Sequence, residues 1–299
     1  MARPRSTYLD LVDRLNNAAL RGLIGLALIL PYRLRVPFMG WLMTRMIGPL
    51  AGYRRRSMAN LAYIYPNMSR AGRAKITAAV LDNAGRTIIE NYSGAALARQ
   101  LAKTVVAGPG LQDLAQAKAA GRPVIFVTAH FGNHEAPRHV LTAMGYTVGG
   151  LYRPMSNPYF NAHYIRTMTA VSGPMFDKGR RGTLGFARFL KGGGMATILF
   201  DIYHRPGAAI PFLGQPAPTA TSAAEFALRF DALLMPYFAV RQPDGLNFGI
   251  HVGPPIDHSD SVTMTKAMTK QLESLIASDP GQWFWVHNRW KPERHPDPD

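Results

Sequence analysis

Beyond about residue 60, apolar runs of four to eight residues recur with helix-like stretches between several of them, and this alternation limits the chain to few architectures. The runs fall at 124–128, 146–152, 195–200, 233–240, 248–252 and 283–286. Residues 70–101 read as helix, with Ile76, Val80, Ile88 and Ile89 at helical spacing, and residues 108–110 read as a turn. The pattern predicts an α/β fold: a central, mostly parallel or mixed sheet flanked by helices. With 299 residues, 47% of them hydrophobic and 17% charged, the chain can bury a substantial core, so disorder is excluded as the main state. No internal repeat or low-complexity linker is present, and the segment after Lys291 reads as a frayed tail.

The charge is strongly basic and unevenly placed. The formal net charge is +16, which points to a polyanionic partner or surface, with nucleic acid and anionic lipid both qualifying. Residues 1–75 carry thirteen basic residues, from Arg3 and Arg5 to Lys75, against two acids, Asp10 and Asp13. Two apolar stretches, 23–30 and 36–50, are interleaved with these charges. Both fall short of the roughly 20 apolar residues that a spanning helix requires. Residues 1–60 are therefore read as a basic, apolar membrane-associating segment, an interfacial helix pair or a short anchor with cytoplasmic basic flanks, preceding a catalytic domain over 61–299. Two buried helices of a globular domain are the alternative.

Several chemistries lose support. Cysteine is absent, which removes disulfides, thiolate catalysis and cysteine-held metal sites. No GxSxG, GxxxxGK or strand-linked GxGxxG segment occurs. No helix-turn-helix, RNP or zinc-finger pattern supports nucleic-acid binding, so a binding protein without catalysis rests on charge alone. His134, Glu135 and His139 have HExxxH rather than HExxH spacing and enclose Pro137, so no metal site is expected there.

The informative block is VIFVTAHFGNHE, residues 124–135. An apolar strand runs into a Gly132–Asn133 turn, and Glu135 follows His130 by five residues. A strand, tight turn and helix start can bring these two side chains together. Glu135 would then accept a hydrogen bond from one nitrogen of His130 and leave the other to take a proton from a hydroxyl. That is the base and its orienter without an enzyme nucleophile. A structural histidine at a strand end is the competing account.

The ordered blocks resemble the late acyltransferases of lipid A biosynthesis, within the wider HxxxxD/E acyltransferases, over nearly the whole chain. Arg54 and Arg55 before Asn60 and Leu61 match a basic pair before NL; AHFGNHE matches HFGNWE; LYRPMSNP, residues 151–158, matches a YRP and NP segment. PFLG at 211–214 and QWFWVHNRWK at 282–291 match an FFG element and a WxHRRW signature. His134, Ile202 and Asn288 depart from the usual residues. The phospholipid branch usually carries NHxxxxD and EGTR, and neither is present.

The resemblance implies transfer of a fatty acyl group from acyl carrier protein, or coenzyme A, to a hydroxyl of a lipid A precursor at the cytoplasmic face of a bacterial inner membrane. It requires no cofactor. A lyso-aminolipid, lysophospholipid or glycolipid acceptor is the alternative. His130 and Glu135 fall at the catalytic positions. Arg166 falls where the family has a functional arginine, and with Arg153 it has the donor fork suited to a phosphate, a structural ion pair being the other account. Asp201 would position Arg166 or a substrate hydroxyl, or cap a turn. Arg180, Arg181 and Lys191 are candidate contacts for an acidic donor protein, a solvated face being the alternative. Trp283 and Trp285, on one face of a strand, read as core, with an interfacial belt as the alternative.

Overall fold

The structure is a computed structural model and describes residues 7–291. Arg3, Arg5 and the tail after Lys291 lie outside the described residues.

Among the described residues, twelve α-helices and nine strands follow in order. α1 is Thr7–Ile29 and α2 Tyr32–Leu42; a π-helical turn, Met43–Ile47, joins α2 to α3, Gly48–Leu50. Then come α4 (Tyr53–Ile64), α5 (Arg70–Asn91), α6 (Ala95–Leu101), β1 (Val106–Ala107), α7 (Leu111–Ala120) and β2 (Val124–Thr128). α8 (Ala136–Ala143), β3 (Val148–Tyr152), α9 (Pro158–Thr169), β4 (Met175–Asp177), α10 (Arg180–Lys191) and β5 (Met195–Leu199) make the next stretch. The last third holds β6 (Ala208–Phe212), β7 (Gln215–Thr219), α11 (Ser222–Phe230), β8 (Leu233–Arg241), β9 (Phe248–Val252) and α12 (Ser261–Ser278).

Seven strands form one sheet in the order β1-β9-β8-β2-β5-β3-β4. All neighbours are parallel except β8 and β9, so the sheet is mixed as the sequence predicts. β2 lies at the centre with every residue buried, which explains its unbroken apolar run. Its register with β5 pairs Val124 with Met195 through to Thr128 with Leu199. The parallel strands therefore end together, on the side where open α/β sheets form their crevices.

Local signals account for the helix ends. Ser69 caps α5 through its hydroxyl to the Gly72 N–H, and Asp260 caps α12 through the Val262 and Thr263 N–H groups. α1 stops two residues before Pro31, which cannot continue a helix from the preceding turn.

Three readings from sequence change. The helix over 70–101 is two helices, α5 and α6, because Gly94 takes φ +38° between them. Residues 283–286 are not a strand: a single bridge pairs Phe131 with Trp283, and the chain turns away. The β6–β7 hairpin went unread because Pro211, Pro216 and Pro218 suppress the strand pattern; an isolated two-stranded ribbon tolerates them, and Leu213 and Gly214 make its turn with φ of 50° and 80°.

Trp283, Trp285 and Trp290 are fully buried in the main core around Phe212, so they are core residues and not an interfacial belt. Among the described residues, no helix is long and apolar enough to cross a membrane. α2 lies against α5 at backbone contact: a Cβ on Gly85 would meet the Met39 carbonyl oxygen at 2.3 Å, and one on Gly40 would meet the Asp82 carboxylate. Val36 and Met39 are buried there with Ile24, Ala27 and Ile89. The domain boundary expected at residue 60 falls inside α4. A row of apolar side chains nevertheless stays outside the core, with Leu26, Ile29, Leu34, Trp41 and Leu50 all exposed.

Candidate active site

Four neighbouring strands deliver side chains to one place. Past the carboxyl end of β2 comes His130, past β3 Arg153, past β4 Lys178, and past β5 Asp201 and Ile202. A cavity of about 440 Å³ opens there, lined by His130, His134, Leu151, Arg153, Tyr164, Lys178, Ile202, Tyr203, His287 and Asn288 among others.

The parallel register makes the central pair. Thr128 lies beside Leu199, so two residues further along each chain His130 lies beside Asp201. The Asp201 Oδ1 is 2.9 Å from His130 Nδ1, and its Oδ2 accepts both the His130 backbone N–H and the Trp283 indole N–H at 2.9 Å. Asp201 is almost fully buried. Burial alone would raise its carboxyl; the neighbouring His130, through attraction and hydrogen bonds, outweighs this and holds it well below the usual carboxylate range. An ionised carboxylate can only accept, so Nδ1 carries the proton and Nε2 of the neutral ring is left as a base.

This overturns the expectation that Glu135 orients His130. The Glu135 carboxylate accepts instead from Arg138 Nη1 at 2.8 Å, and both side chains are buried. Arg138 in turn donates to the carbonyls of Met168 and Ser172. After the Gly132 turn Glu135 stands at the N-cap of α8 and pairs with Arg138 within that helix, while the His130 ring pairs with Asp201 past β5. Arg138, neutralised by Glu135, ties α8 to α9, and Glu135 does not line the cavity. The described cluster able to hold a cation is His130, Asp201 and His287, whose donor atoms lie within 4.8 Å of one another.

Arg153 lines the cavity. Arg166 does not: it lies on an exposed face of α9, outside the lining residues. Asp201 therefore does not position Arg166. Lys178, which the sequence did not single out, joins Arg153 at the cavity, and burial followed by repulsion from Arg153 lowers its pKa. Its signal was hidden because β4 has three residues, too short a run to read.

His287 was also missed. Its ring lies edge-on to His130 with centroids 4.4 Å apart, and His134 lies on another side at 5.4 Å. Asn60 in α4 fixes this C-terminal segment by donating to the carbonyls of Trp285 and His287 at 2.7 and 2.8 Å, which links the NL block to the WVHNRW block. Burial, then repulsion from His130, pushes the His134 imidazole down to about 4 and the His287 imidazole down to about 3. Both are neutral near pH 7, so Nε2 of His130 faces no fixed cation from either ring.

These two shifts carry a pH prediction. In the unfolded chain both rings protonate near pH 6.5, whereas the folded protein holds them neutral to about 4 or below. Between those limits the unfolded state binds more protons, so stability falls as pH falls. Urea unfolding at pH 7 and pH 4.5 is expected to differ by roughly 2–4 kcal/mol, and His287→Phe should shrink that difference. An unchanged midpoint over this range would contradict the assignment.

Comparison with known proteins shows the family. The profile of a family described as bacterial lipid A biosynthesis acyltransferase matches residues 11–292, nearly the whole chain and every residue of the site. The chain belongs to this family. It is 26% identical over 244 residues to the lipid A biosynthesis lauroyltransferase of Escherichia coli strain K12, covering 78% of this chain and 77% of that one. It is 25% identical over 280 residues to the lipid A biosynthesis palmitoleoyltransferase of the same organism, covering 90% and 89%. A lipid A biosynthesis acyltransferase of Haemophilus influenzae is 22% identical over 259 residues, covering 86% and 81%. Membership makes the protein an O-acyltransferase.

Proposed function

We propose that this acyltransferase moves a fatty acyl group from the thioester of acyl carrier protein, or of coenzyme A, to a hydroxyl of a lipid A precursor, with His130 as general base. The observation that carries the reading is the buried Asp201 carboxylate holding Nδ1–H of His130 at the mouth of a cavity that also bears two cationic side chains. Nε2 takes the proton of the acceptor hydroxyl as its oxygen attacks the thioester carbon. The tetrahedral intermediate then expels the thiolate, and the imidazolium returns the proton to that sulfur. Arg153 and Lys178 supply the positive charge for a phosphate on the acceptor or on the pantetheine arm. Asp201 is not protonated in the cycle; it keeps the tautomer and steadies the imidazolium.

The test is chemical. Purified enzyme is incubated with acyl carrier protein or coenzyme A thioesters and a phosphorylated lipid A precursor, and the lipids are read by mass spectrometry. Gain of one acyl mass with wild type and none with His130→Ala supports the reading. Acylation of lysophospholipid alone would give the acceptor to the alternative class.

The N-terminal helices would seat the enzyme on the cytoplasmic face of the inner membrane. Support comes from the exposed Leu26, Ile29, Leu34, Trp41 and Leu50 beside a strongly basic first quarter. Removing the whole segment would strip α2 from α5 and uncover the core, so point changes are the sharper probe. The triple substitution Leu26→Ser, Ile29→Ser, Leu34→Ser is expected to reduce flotation with anionic vesicles at least tenfold without changing the circular dichroism spectrum. Undiminished flotation would place the attachment elsewhere.

A further inference from the structure

We infer that the buried Glu90–Arg241 ion pair is a positioning device for His130, gripping the turn that follows it from the side away from the cavity. The inference rests on His130 being the base.

Three polar residues of α5, Asn83, Thr87 and Glu90, occur at i, i+4 and i+7 and so share one helix face, yet all are buried. Apolar residues would pack such a face more cheaply, and buried polar groups need partners. Those partners are the catalytic turn and the end of β8. Asn83 Nδ2 and Thr87 Oγ1 both donate to the Gly132 carbonyl, at 3.0 and 2.9 Å. Glu90 Oε2 accepts from Asn133 Nδ2 at 2.9 Å, and the Asn133 side-chain oxygen accepts the Glu135 backbone N–H. Arg241 clamps the three from behind: it donates to both carboxylate oxygens of Glu90, to Asn83 Oδ1 at 2.7 Å and to Thr87 Oγ1 at 3.2 Å.

The turn cannot take this shape unaided. Gly132 sits at φ +54°, and a Cβ there would strike the Ala239 carbonyl oxygen at 1.9 Å, so the backbone is pressed against β8. His130 is thus held at two points. Its own N–H is fixed by Asp201, and two residues later the Gly132 carbonyl is fixed by the α5 face. None of Asn83, Thr87, Glu90 or Arg241 lines the catalytic cavity, so their influence on turnover runs through the placement of the imidazole.

The experiment compares Glu90→Gln, Thr87→Val and Thr87→Ser in the full chain, with His130→Gln as reference. Each folded variant is assayed for kcat and KM, and the Nδ1–H proton of His130 is followed by NMR on histidine-labelled protein. Glu90→Gln is expected to lower kcat about 10- to 100-fold with KM changed less than about threefold, and to weaken or abolish the Nδ1–H resonance. Thr87→Val should lower kcat about fivefold or more and Thr87→Ser should restore it; this pair carries the test if Glu90→Gln does not fold. Wild-type kcat with an intact resonance in folded Glu90→Gln and Thr87→Val would overturn the inference, as would losses that merely track the folded fraction. Activity in His130→Gln would instead remove the reading of His130 itself, whatever the α5 variants do.

Discussion

Asp201→Asn is expected to lower kcat about 10³- to 10⁴-fold while leaving the fold intact. The reason lies in the count of donors around one carboxylate. Oδ2 accepts two N–H groups, from the His130 backbone and the Trp283 indole, and Oδ1 faces His130 Nδ1. Asparagine has a single oxygen. Placed toward the two fixed donors, it leaves an NH2 facing Nδ1, which must then be the unprotonated nitrogen. The proton moves to Nε2, and the base is lost with the ring still in place. The opposite amide orientation sets an NH2 against two N–H groups in a buried site, which is worse. Steady-state kinetics with near-unchanged KM and thermal melting would show this; kcat within tenfold of wild type would separate Asp201 from the chemistry.

The second large effect is on stability. Glu135→Ala is expected to destabilise the protein by about 3–5 kcal/mol, since it leaves the fully buried Arg138 guanidinium with uncharged partners, two carbonyls and the Met175 thioether. Denaturant titration measures the loss, and Glu135→Ala combined with Arg138→Met should recover part of it, because a methionine can fill the space without charge. Folded Glu135→Ala should retain kcat within about tenfold of wild type, in contrast to Asp201→Asn. Unchanged stability with abolished turnover would return Glu135 to a direct role in the reaction.

The contrast between these two acids shows where reading a chain stops. Residues 124–128 are buried on both faces and leave an uninterrupted apolar run, so β2 was legible to the residue. β9 was legible likewise, and β3, β5 and β8 to within two residues at either end, because a sheet covered by helices demands such runs. The position of His130, just past a strand and before a glycine turn, was legible too. β4 is three residues long, and β6 and β7 carry prolines, so neither leaves a periodic signal. Lys178 and the hairpin that receives Trp290 and Arg289 were hidden with them.

His130's partner could not be found by counting along the motif. Glu135 is five residues away in the chain, and Asp201 is seventy-one; proximity in sequence favours the first. What sets the second beside the imidazole is the parallel pairing of β2 with β5, which aligns position 130 with position 201 and sends the chain past the Gly132 turn the other way. Composition and local pattern therefore determined that this is a basic α/β protein, with a histidine poised where a buried strand ends. The tertiary structure alone decided which carboxylate serves it, because strand register is a relation between distant segments that no single segment encodes.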